Sequence, residues 1–356
     1  MLIKGLDLFG EAAMPLSFLV AMAVSYFMTP PVIRLAHKIG AIDVPKDNRR
    51  VHKTPIPRLG GLAIYIGFLA GVLLFVPISR ELVGVLLAAT VIIVMGIVDD
   101  TLGLGAKTKL LIQIFCALTV TFFGVRIDFV RNPFGFTHEF FYLGYLSVPI
   151  TVFWIVGITN TVNLIDGLDG LAAGVSSIAA VTMALVAFIN GEYIQTAIVL
   201  ALAGGAVGFL PFNFNPAKIF MGDTGALFLG FILSIISVEA TVKSAATLAV
   251  VVPILALGIP ILDTTFAIIR RSIAGKPIMQ ADKGHLHHRF LSKGLSQKQT
   301  VLTLYAISLL LGISAVLITK ATAHTAVMVL SMDLLLIVYG VFRLRILSHD
   351  KEGEQR

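Results

Sequence analysis

Charged residues and cysteine are both scarce in this sequence of 356 residues. Only 13% of the residues are charged and 57% are hydrophobic, whereas a soluble domain carries about 25% charged and about 45–50% apolar residues. This shortage of charge excludes an ordinary water-soluble enzyme, a coiled coil and a disordered chain. The single cysteine, Cys116, excludes an intrachain disulfide and a cysteine-based metal site. A mean hydropathy of +0.94 indicates an all-α, polytopic membrane protein.

Long apolar runs fill most of the chain, and a membrane helix needs about 20 such residues. The sequence predicts eleven spans in a single membrane domain, 1–356, with no room for a large soluble domain. The first span lacks a basic N-terminal flank, so we expect a retained helix rather than a cleaved signal peptide. The predicted spans lie near 13–31, 60–78, 82–98, 108–125, 146–163, 170–189, 193–211, 224–241, 246–269, 300–319 and 324–342.

Basic residues are distributed unequally between the two predicted sides of the membrane. Of the 27 Lys and Arg residues, 21 lie on one side and six on the other. Because Lys and Arg concentrate in cytoplasmic loops, the richer side is predicted to be cytoplasmic, with the N-terminus outside and the C-terminus inside. That side comprises the loops near 32–59, 99–109, 164–169, 212–223 and 270–299 and the tail 343–356.

Acidic residues in recognisable motifs fall on this same side. Asp99 and Asp100 end the third span, where adjacent carboxylates repel each other and the helix dipole disfavours anions. A solvated helix end is the simpler interpretation, but the unfavourable position indicates a metal ion or a cationic partner such as Lys107 or Lys109. Asp263 lies deeper, about two turns inside the ninth span.

Four polar residues recur at every third position in NTVNLIDGLDG, at the end of the fifth span. Residues at this helical spacing lie near one face, and the glycines that follow allow a ligand to approach the backbone. An ordinary helix end, with an aspartate as the next N-cap, explains only part of this pattern. The residues are Asn160, Asn163, Asp166 and Asp169.

Asp223 stands between glycines in MGDTG, immediately before an apolar run. It can cap the helix that follows, and the free backbone N–H groups there can face an anion. The same carboxylate can hold Mg²⁺ in an oxygen-only site. Asn213 and Asn215 precede it in a proline-containing loop that membrane packing alone does not require.

Three histidines and an arginine fall within five residues of the sequence GHLHHRF. Zinc is disfavoured, because there is no HExxH motif and no cysteine partner. Phosphate binding suits imidazole and guanidinium donors. A basic loop that binds anionic lipid heads is the alternative, although it leaves the clustered histidines unexplained. The residues are His285, His287, His288 and Arg289.

The segment DVPKDNRRVHKTPIPRLGG, residues 43–61, is basic and contains His52 and Arg58. It is either a positive-inside anchor or a mobile loop that supplies cations to a phosphorylated ligand. Carboxylates suited to Mg²⁺ beside phosphate-binding donors fit phosphoryl transfer, which depends mainly on positioning and charge neutralisation. At a membrane face, a soluble phosphorylated donor and a lipid acceptor both reach such a site.

The order of these motifs resembles the polyprenyl-phosphate N-acetylhexosamine-1-phosphate transferases, glycosyltransferase family 4, over nearly the whole chain. The shared elements are DxPxxxRxVHxxxxPRxGG, DD, NxxNxxDGxDG, GDTG and HxHH. ADKGHLHHRF is similar to the branch that uses UDP-GlcNAc and undecaprenyl phosphate to begin O-antigen, enterobacterial common antigen or teichoic acid linkage units. Leu286 interrupts the three consecutive histidines that are typical of the phospho-MurNAc-pentapeptide transferases.

The resemblance implies a reaction and a place for it. GlcNAc-1-phosphate would pass from UDP-GlcNAc to undecaprenyl phosphate in the inner leaflet, giving undecaprenyl-pyrophosphoryl-GlcNAc and UMP. The site would lie on the cytoplasmic face of a bacterial inner membrane. Asp223, Asp99 and Asp100 would be catalytic and would form the Mg²⁺ site, with Mn²⁺ as an alternative, and His287 would be catalytic too.

The resemblance also implies substrate-binding roles. Asp169 and Asn213 would lie near uracil, and Phe220 would stack on it. Asp99 would serve as base or orienting group for the lipid phosphate, and the histidine motif would bind the sugar-phosphate side of the donor. The other implied substrate-binding residues are Lys109, Asn163, Asp166, His285, His288, Arg289, His52 and Arg58.

Two other functions stay open from the sequence. The same superfamily includes enzymes for other donors, such as UDP-MurNAc-pentapeptide or another N-acetylhexosamine. Eleven spans also suit a transporter, which should place polar groups near the midplane, where only Asp333 and, in part, Asp263 are expected. No nucleic-acid partner is predicted, and a homodimer is left open.

Overall fold

The computed structural model describes residues 12–44, 55–131, 140–243, 250–273, 275 and 284–344. Within these ranges the chain forms thirteen helices, two small hairpins and a 3₁₀ turn, Gly144–Leu146. The helices are α1 Ala13–Ile39, α2 Gly60–Phe75, α3 Arg80–Leu102, α4 Ala106–Phe123, α5 Ser147–Leu164, α6 Leu171–Ile189, α7 Tyr193–Asn213, α8 Gly222–Lys243, α9 Val251–Ala256, α10 Gly258–Ile273, α11 Leu286–Ser292, α12 Gln297–Ile318 and α13 Ala323–Leu344. The strands are β1 Ile42–Asp43, β2 Ile56–Pro57, β3 Phe129–Arg131 and β4 Phe140–Tyr142.

Long apolar helices confirm an all-α, polytopic membrane protein. In the described part of the chain, nine helices are long and apolar enough to cross a membrane, and α2 is a shorter apolar helix of 16 residues. The predicted ninth segment, 246–269, is not one helix but is broken at Leu257 into α9 and α10. Pro260 explains the break, because it lacks an amide N–H and its ring would collide with the carbonyl of Ala256, where α9 ends.

The first helix is longer than its predicted span. α1 continues from the predicted end at residue 31 to Ile39, although Pro30 and Pro31 lie inside it. Val32 and Ala36 are buried one turn apart, so the apolar face of the helix extends into the segment predicted as a loop.

The helix α8 lies at the centre of the bundle and carries Asp223 in its first turn. Of its residues Gly222–Glu239, 83% are buried, and the helix packs against α2, α3, α5 and α6. A Cβ on Gly61 would overlap the backbone of Gly225, and one on Gly96 would overlap the backbone of Thr224. Small residues permit such close helix approach in membranes, and here they hold the start of α8 against α2 and α3.

The hairpin of β1 and β2 returns the chain to the start of α8. The strands are antiparallel, with Ile42 opposite Pro57. The next residue, Arg58, forms a parallel bridge with Phe220, whose N–H donates to the carbonyl of Pro57 at 2.7 Å. This pairing brings Arg58 beside the motif that contains Asp223.

Candidate active site

A lysine ammonium lies between two carboxylates from distant parts of the chain. Lys109 Nζ is 3.0 Å from Asp99 Oδ2 and 2.7 Å from Asp223 Oδ2. The turn from α3 to α4 is closed by the Leu104 N–H, which donates to Asp99 Oδ1 at 2.6 Å. The side chains of Asp99, Lys109 and Asp223 keep 11%, 25% and 29% of their surface exposed. The three therefore face an accessible space at the end of the bundle.

The neighbouring carboxylate, Asp100, points in another direction and caps α8. Its Oδ1 accepts the N–H of Asp223 at 3.1 Å, and its Oδ2 accepts the N–H and hydroxyl of Thr224 at 3.0 and 2.7 Å. The guanidinium of Arg58 donates to the backbone carbonyl of Asp100 at 3.1 and 3.2 Å and is 3.7 Å from Oδ1. These bonds satisfy N–H groups at the helix start. The predicted metal-ligand role of Asp100 stays a prediction.

The polar stripe of α5 reaches the same cluster. Asn163 Nδ2 donates to Asp223 Oδ1 at 3.3 Å, whereas Asn160 Nδ2 donates to Oε1 of Gln113 on α4 at 2.5 Å. Asp166 lies in the turn after α5. Burial, together with the carboxylates of Asp223 and Asp100, raises the pKa of Asp166 to about 7. This crowding of negative charge favours a cation nearby.

Asp169 and Asn213 tie two loops of the site together. Asp169 Oδ2 accepts a hydrogen bond from Asn215 Nδ2 at 2.9 Å. The buried Asn213 accepts the N–H of Gly170 at 3.1 Å and donates to the carbonyl of Ile219 at 3.0 Å. These contacts place the Phe220 segment against the DGLDG turn, as a wall of the accessible space. The predicted contacts with a nucleotide remain predictions.

Two polar residues of this wall, Gln297 and Tyr305, were not singled out from the sequence. Asn215 also donates to Gln297 Oε1 at 2.9 Å, and the Tyr305 hydroxyl donates to the carbonyl of Gly170. Asn215 was already singled out from the sequence together with Asn213, which precedes it by two residues in the FNFNP loop. Gln297 and Tyr305 lie on α12, far away in sequence, and no local motif marks them.

The histidine motif packs against the DGLDG turn. A Cβ on Gly167 would lie 2.6 Å from Nε2 of the buried His287. The ring of His287 is parallel to that of His285 at a centroid distance of 5.8 Å and lies 4.3 Å from that of His288. Burial and the neighbouring His288 imidazole lower the pKa of His287 to about 3, so this ring is neutral at physiological pH. Arg289 is buried on the same short helix, α11.

The variant Gly167→Ala tests the contact between these two motifs. Because a methyl group there would lie 2.6 Å from the His287 ring nitrogen, one of the two segments must move. We expect turnover of the enzyme to fall about tenfold, since small displacements of substrate-positioning groups are costly. Steady-state kinetics of the purified protein measure the effect. Gly157→Ala is the matched control, because nothing lies within 4 Å of a Cβ at that position of α5, and equal turnover of the two variants would contradict the prediction.

The oxygen atoms around Lys109 fit Mg²⁺. Asp99 Oδ2 and Asp223 Oδ2 converge on one cationic group, so a metal ion in its place would meet both. In phosphate-processing sites Mg²⁺ is held by one or two carboxylates together with substrate phosphates and water. The described ranges contain no group of three or more His, Cys, Asp or Glu residues that would form an all-protein metal site. The donor set therefore suits a metal ion that is completed by substrate.

The structure brings most of the predicted residues to one end of the bundle. One group surrounds the start of α8, and the other surrounds the DGLDG turn. His52 lies in the segment 45–54, outside the part of the chain that the structure describes. The first group is Arg58, Asp99, Asp100, Lys109, Asn163 and Asp223. The second group is Asp166, Asp169, Asn213, Phe220, His285, His287, His288 and Arg289.

Comparisons with known proteins agree with this arrangement. A model of glycosyl transferase family 4 matches residues 82–241. A Bacillus subtilis protein named probable undecaprenyl-phosphate N-acetylglucosaminyl 1-phosphate transferase is 46% identical over 307 residues, which cover 86% of this chain and 85% of that protein. The chain belongs to glycosyl transferase family 4. Decaprenyl-phosphate N-acetylglucosaminephosphotransferase of Mycobacterium tuberculosis is 36% identical over 315 residues, which cover 81% of this chain and 78% of the mycobacterial protein.

Membership of family 4 confirms the predicted superfamily, and the 46% identity to the Bacillus subtilis protein confirms the predicted branch. This family 4 protein is a sugar-phosphate transferase in a multi-pass membrane fold. The phospho-N-acetylmuramoyl-pentapeptide-transferase of Desulforudis audaxviator is similar at a lower level, 32% over 329 residues, 83% of this chain and 94% of that protein. The lower identity to the pentapeptide transferase, 32% against 46%, agrees with the interruption of the histidine run at Leu286. Membership of a transferase family also favours an enzyme over a transporter.

Proposed function

We propose that this transferase moves GlcNAc-1-phosphate from UDP-GlcNAc to undecaprenyl phosphate and releases UMP. The observation that carries the proposal is the Lys109 ammonium held between Asp99 and Asp223. Two carboxylates and a cationic group at one point suit a reaction in which two phosphorylated substrates must meet. The name of the Bacillus subtilis relative and the interrupted histidine run support this donor and this lipid.

Within this proposal, Asp223 and Asp99 would hold Mg²⁺, for which Mn²⁺ would be a substitute. When bound, the metal ion neutralises charge on the phosphoryl group that is transferred. Lys109 would contact a substrate phosphate, which suits its flexible, compact ammonium. Asn163 keeps Asp223 oriented through its bond to Oδ1.

The proposed chemistry is a single displacement. An oxygen of the lipid phosphate forms a bond to the sugar-linked phosphorus of the donor as the bond to UMP breaks and its electron pair leaves with UMP. The second pKa of a phosphate monoester is about 6, so most of the acceptor is already a dianion at neutral pH. Both oxygens of Asp99 are engaged, by Leu104 and by Lys109. These bonds support an orienting role for Asp99 rather than that of a base or nucleophile.

An apolar groove supports a lipid as the acceptor. It has a volume of about 420 Å³ and runs between α3 and α4. Leu104 lines its end, and the N–H of this residue is bonded to Asp99. An isoprenoid chain in the groove would therefore place its phosphate beside Lys109. The lining residues are Val91, Val94, Met95, Val98, Leu104, Leu111, Ile112 and Phe115.

We place this end of the bundle on the cytoplasmic face of a bacterial inner membrane. The support is the charge distribution, since 21 of the 27 Lys and Arg residues fall in loops and a tail on the side of the site. A soluble nucleotide sugar made in the cytoplasm would reach the site there without crossing the membrane.

The test of the proposed function is a donor comparison with the purified protein. With Mg²⁺, undecaprenyl phosphate and radiolabelled UDP-GlcNAc, we expect a labelled lipid and an equal amount of UMP. UDP-MurNAc-pentapeptide under the same conditions should give at least tenfold less product, because Leu286 interrupts the run of three histidines that is typical of that branch. Chelation of the metal with EDTA should stop the reaction. A preference for the pentapeptide donor, or solute movement across vesicles without any lipid product, would contradict the proposal.

A further inference from the structure

The helix α10 presents a buried stripe to the histidine motif. Asp263, Ala267 and Arg270 are buried at positions i, i+4 and i+7, which share one helix face. Asp263 is only 3% exposed. A Cβ on Gly284 would overlap the guanidinium of Arg270, so this side chain lies against the backbone that leads into the motif. The histidine motif thus rests on α10.

Asp263 makes two hydrogen bonds to consecutive residues of the motif. Its Oδ2 is 2.9 Å from His285 Nδ1, and its Oδ1 accepts the N–H of Leu286 at 2.7 Å. Leu286 is the first residue of α11, where a backbone N–H has no partner within the helix. One buried carboxylate therefore holds both the start of α11 and the ring of His285.

The pairing determines which nitrogen of His285 carries a proton. A carboxylate oxygen accepts hydrogen bonds, so the pairing favours the proton of His285 on Nδ1, the nitrogen that faces Asp263. A carboxylate bonded to one nitrogen of an imidazole sets both the tautomer and the ring orientation. Nε2 is then the nitrogen left for another partner. The ring of His287 lies parallel to that of His285 within 7°, at a centroid distance of 5.8 Å.

We propose that Asp263 is a positioning residue for the transfer reaction. It fixes the proton of His285 on Nδ1 and presents Nε2 to the sugar-phosphate side of the donor. It acts through His285 and does not itself touch the substrate. The proposal rests on the proposed function for the identity of the donor, whereas the hydrogen bonds themselves do not depend on it.

The variant Asp263→Asn separates this role from simple packing. The amide oxygen can still accept from Leu286, but the amide nitrogen donates, so His285 would have to accept at Nδ1 and carry its proton on Nε2. We expect kcat/KM for the donor to fall about 10- to 100-fold, as for other residues that orient a functional imidazole. The KM for the lipid acceptor and the melting temperature should stay unchanged. Asp333→Asn is the matched control. Asp333, on α13 and outside the site, is also buried, and it accepts a hydrogen bond at 3.0 Å from the hydroxyl of Ser314 on α12.

A second variant tests whether Asp263 acts through His285. In His285→Asn the side-chain amide can still donate to Asp263, but nothing replaces Nε2. If the two residues act as a unit, adding Asp263→Asn to His285→Asn should lower kcat/KM by no more than about twofold. A further loss as large as that of Asp263→Asn alone would overturn the positioning role.

The tautomer itself can be observed without a substrate. In histidine-¹⁵N-labelled protein, the His285 signals, assigned by their loss in His285→Asn, should show the proton on Nδ1. In Asp263→Asn the proton should move to Nε2. A wild-type His285 protonated only on Nε2, or unchanged donor kinetics in Asp263→Asn, would overturn the proposal. If the wild-type protein makes no lipid-linked sugar from any nucleotide sugar, the proposed function fails, while the tautomer result still decides the pairing.

Discussion

Replacing Asp223 with Asn should lower the rate of transfer about a thousandfold, equivalent to about 4 kcal/mol of lost transition-state stabilisation. The carboxylate of Asp223 contacts Lys109 at 2.7 Å and Asn163 at 3.3 Å. An amide removes the negative charge that balances Lys109 and provides one oxygen instead of two. It therefore cannot hold a divalent cation and the ammonium at once. UMP release at saturating substrates, measured over a range of Mg²⁺ concentrations, checks the prediction.

The matched control for this variant is Asp128→Asn. Asp128 is also paired with a basic residue, Arg126, at 2.9 Å, but it follows the C-terminal end of α4, whereas Lys109, the partner of Asp223, stands in the first turn of that helix. Its removal should leave the turnover unchanged. If Asp223→Asn kept more than a third of the wild-type turnover at saturating Mg²⁺, the assignment of Asp223 as the metal ligand would be wrong.

Replacing Asp100 with Asn should lower both stability and activity. Three donors from Asp223 and Thr224 meet the oxygens of Asp100, and the amide nitrogen of Asn would face one of them. A buried N–H left without an acceptor costs about 1–3 kcal/mol, so the melting temperature should fall by several degrees. The start of α8 would shift, and a displacement of about 1 Å at a catalytic group can cost about 100-fold in rate. Thermal unfolding and turnover are the measurements.

The variant Thr224→Val separates the structural role of Asp100 from metal binding. It removes the 2.7 Å hydroxyl bond to Asp100 without changing a carboxylate. We expect a smaller fall in melting temperature and no change in the Mg²⁺ concentration for half-maximal rate. If Asp100→Asn kept its melting temperature but needed at least tenfold more Mg²⁺, Asp100 would be a metal ligand and not the cap of α8.

Much of the site was predictable because membrane proteins contain few charged residues. Ionisable groups near membrane depth are costly and mark functional positions, so Asp99, Asp223 and the DGLDG turn stood out against apolar sequence. The same reasoning found the helical segments, since length and hydropathy determine a span without tertiary contacts. It failed at Pro260, because proline breaks the helix without making the segment less apolar.

Other parts of the site were not predictable from local pattern. Asp100 and Asp99 are adjacent carboxylates, yet one caps α8 while the other faces Lys109. The partners of Asp263, Gly167 and Gly170 come from segments that are distant in sequence. A sequence motif indicates that a polar residue is required, but it does not show which neighbouring group donates a hydrogen bond to that residue.

The sequence by itself determined the class of protein, through its scarcity of charge. It also determined the apolar segments and the motifs of a family 4 transferase. These features depend on the composition of short segments and on the cost of placing charge in lipid. Only the tertiary structure decided that Lys109 joins Asp99 to Asp223 and that Asp263 holds the histidine motif. Those contacts join residues 10 to 114 positions apart in the chain. They depend on how closely α8 and its neighbours pack, which glycines such as Gly61 and Gly96 permit.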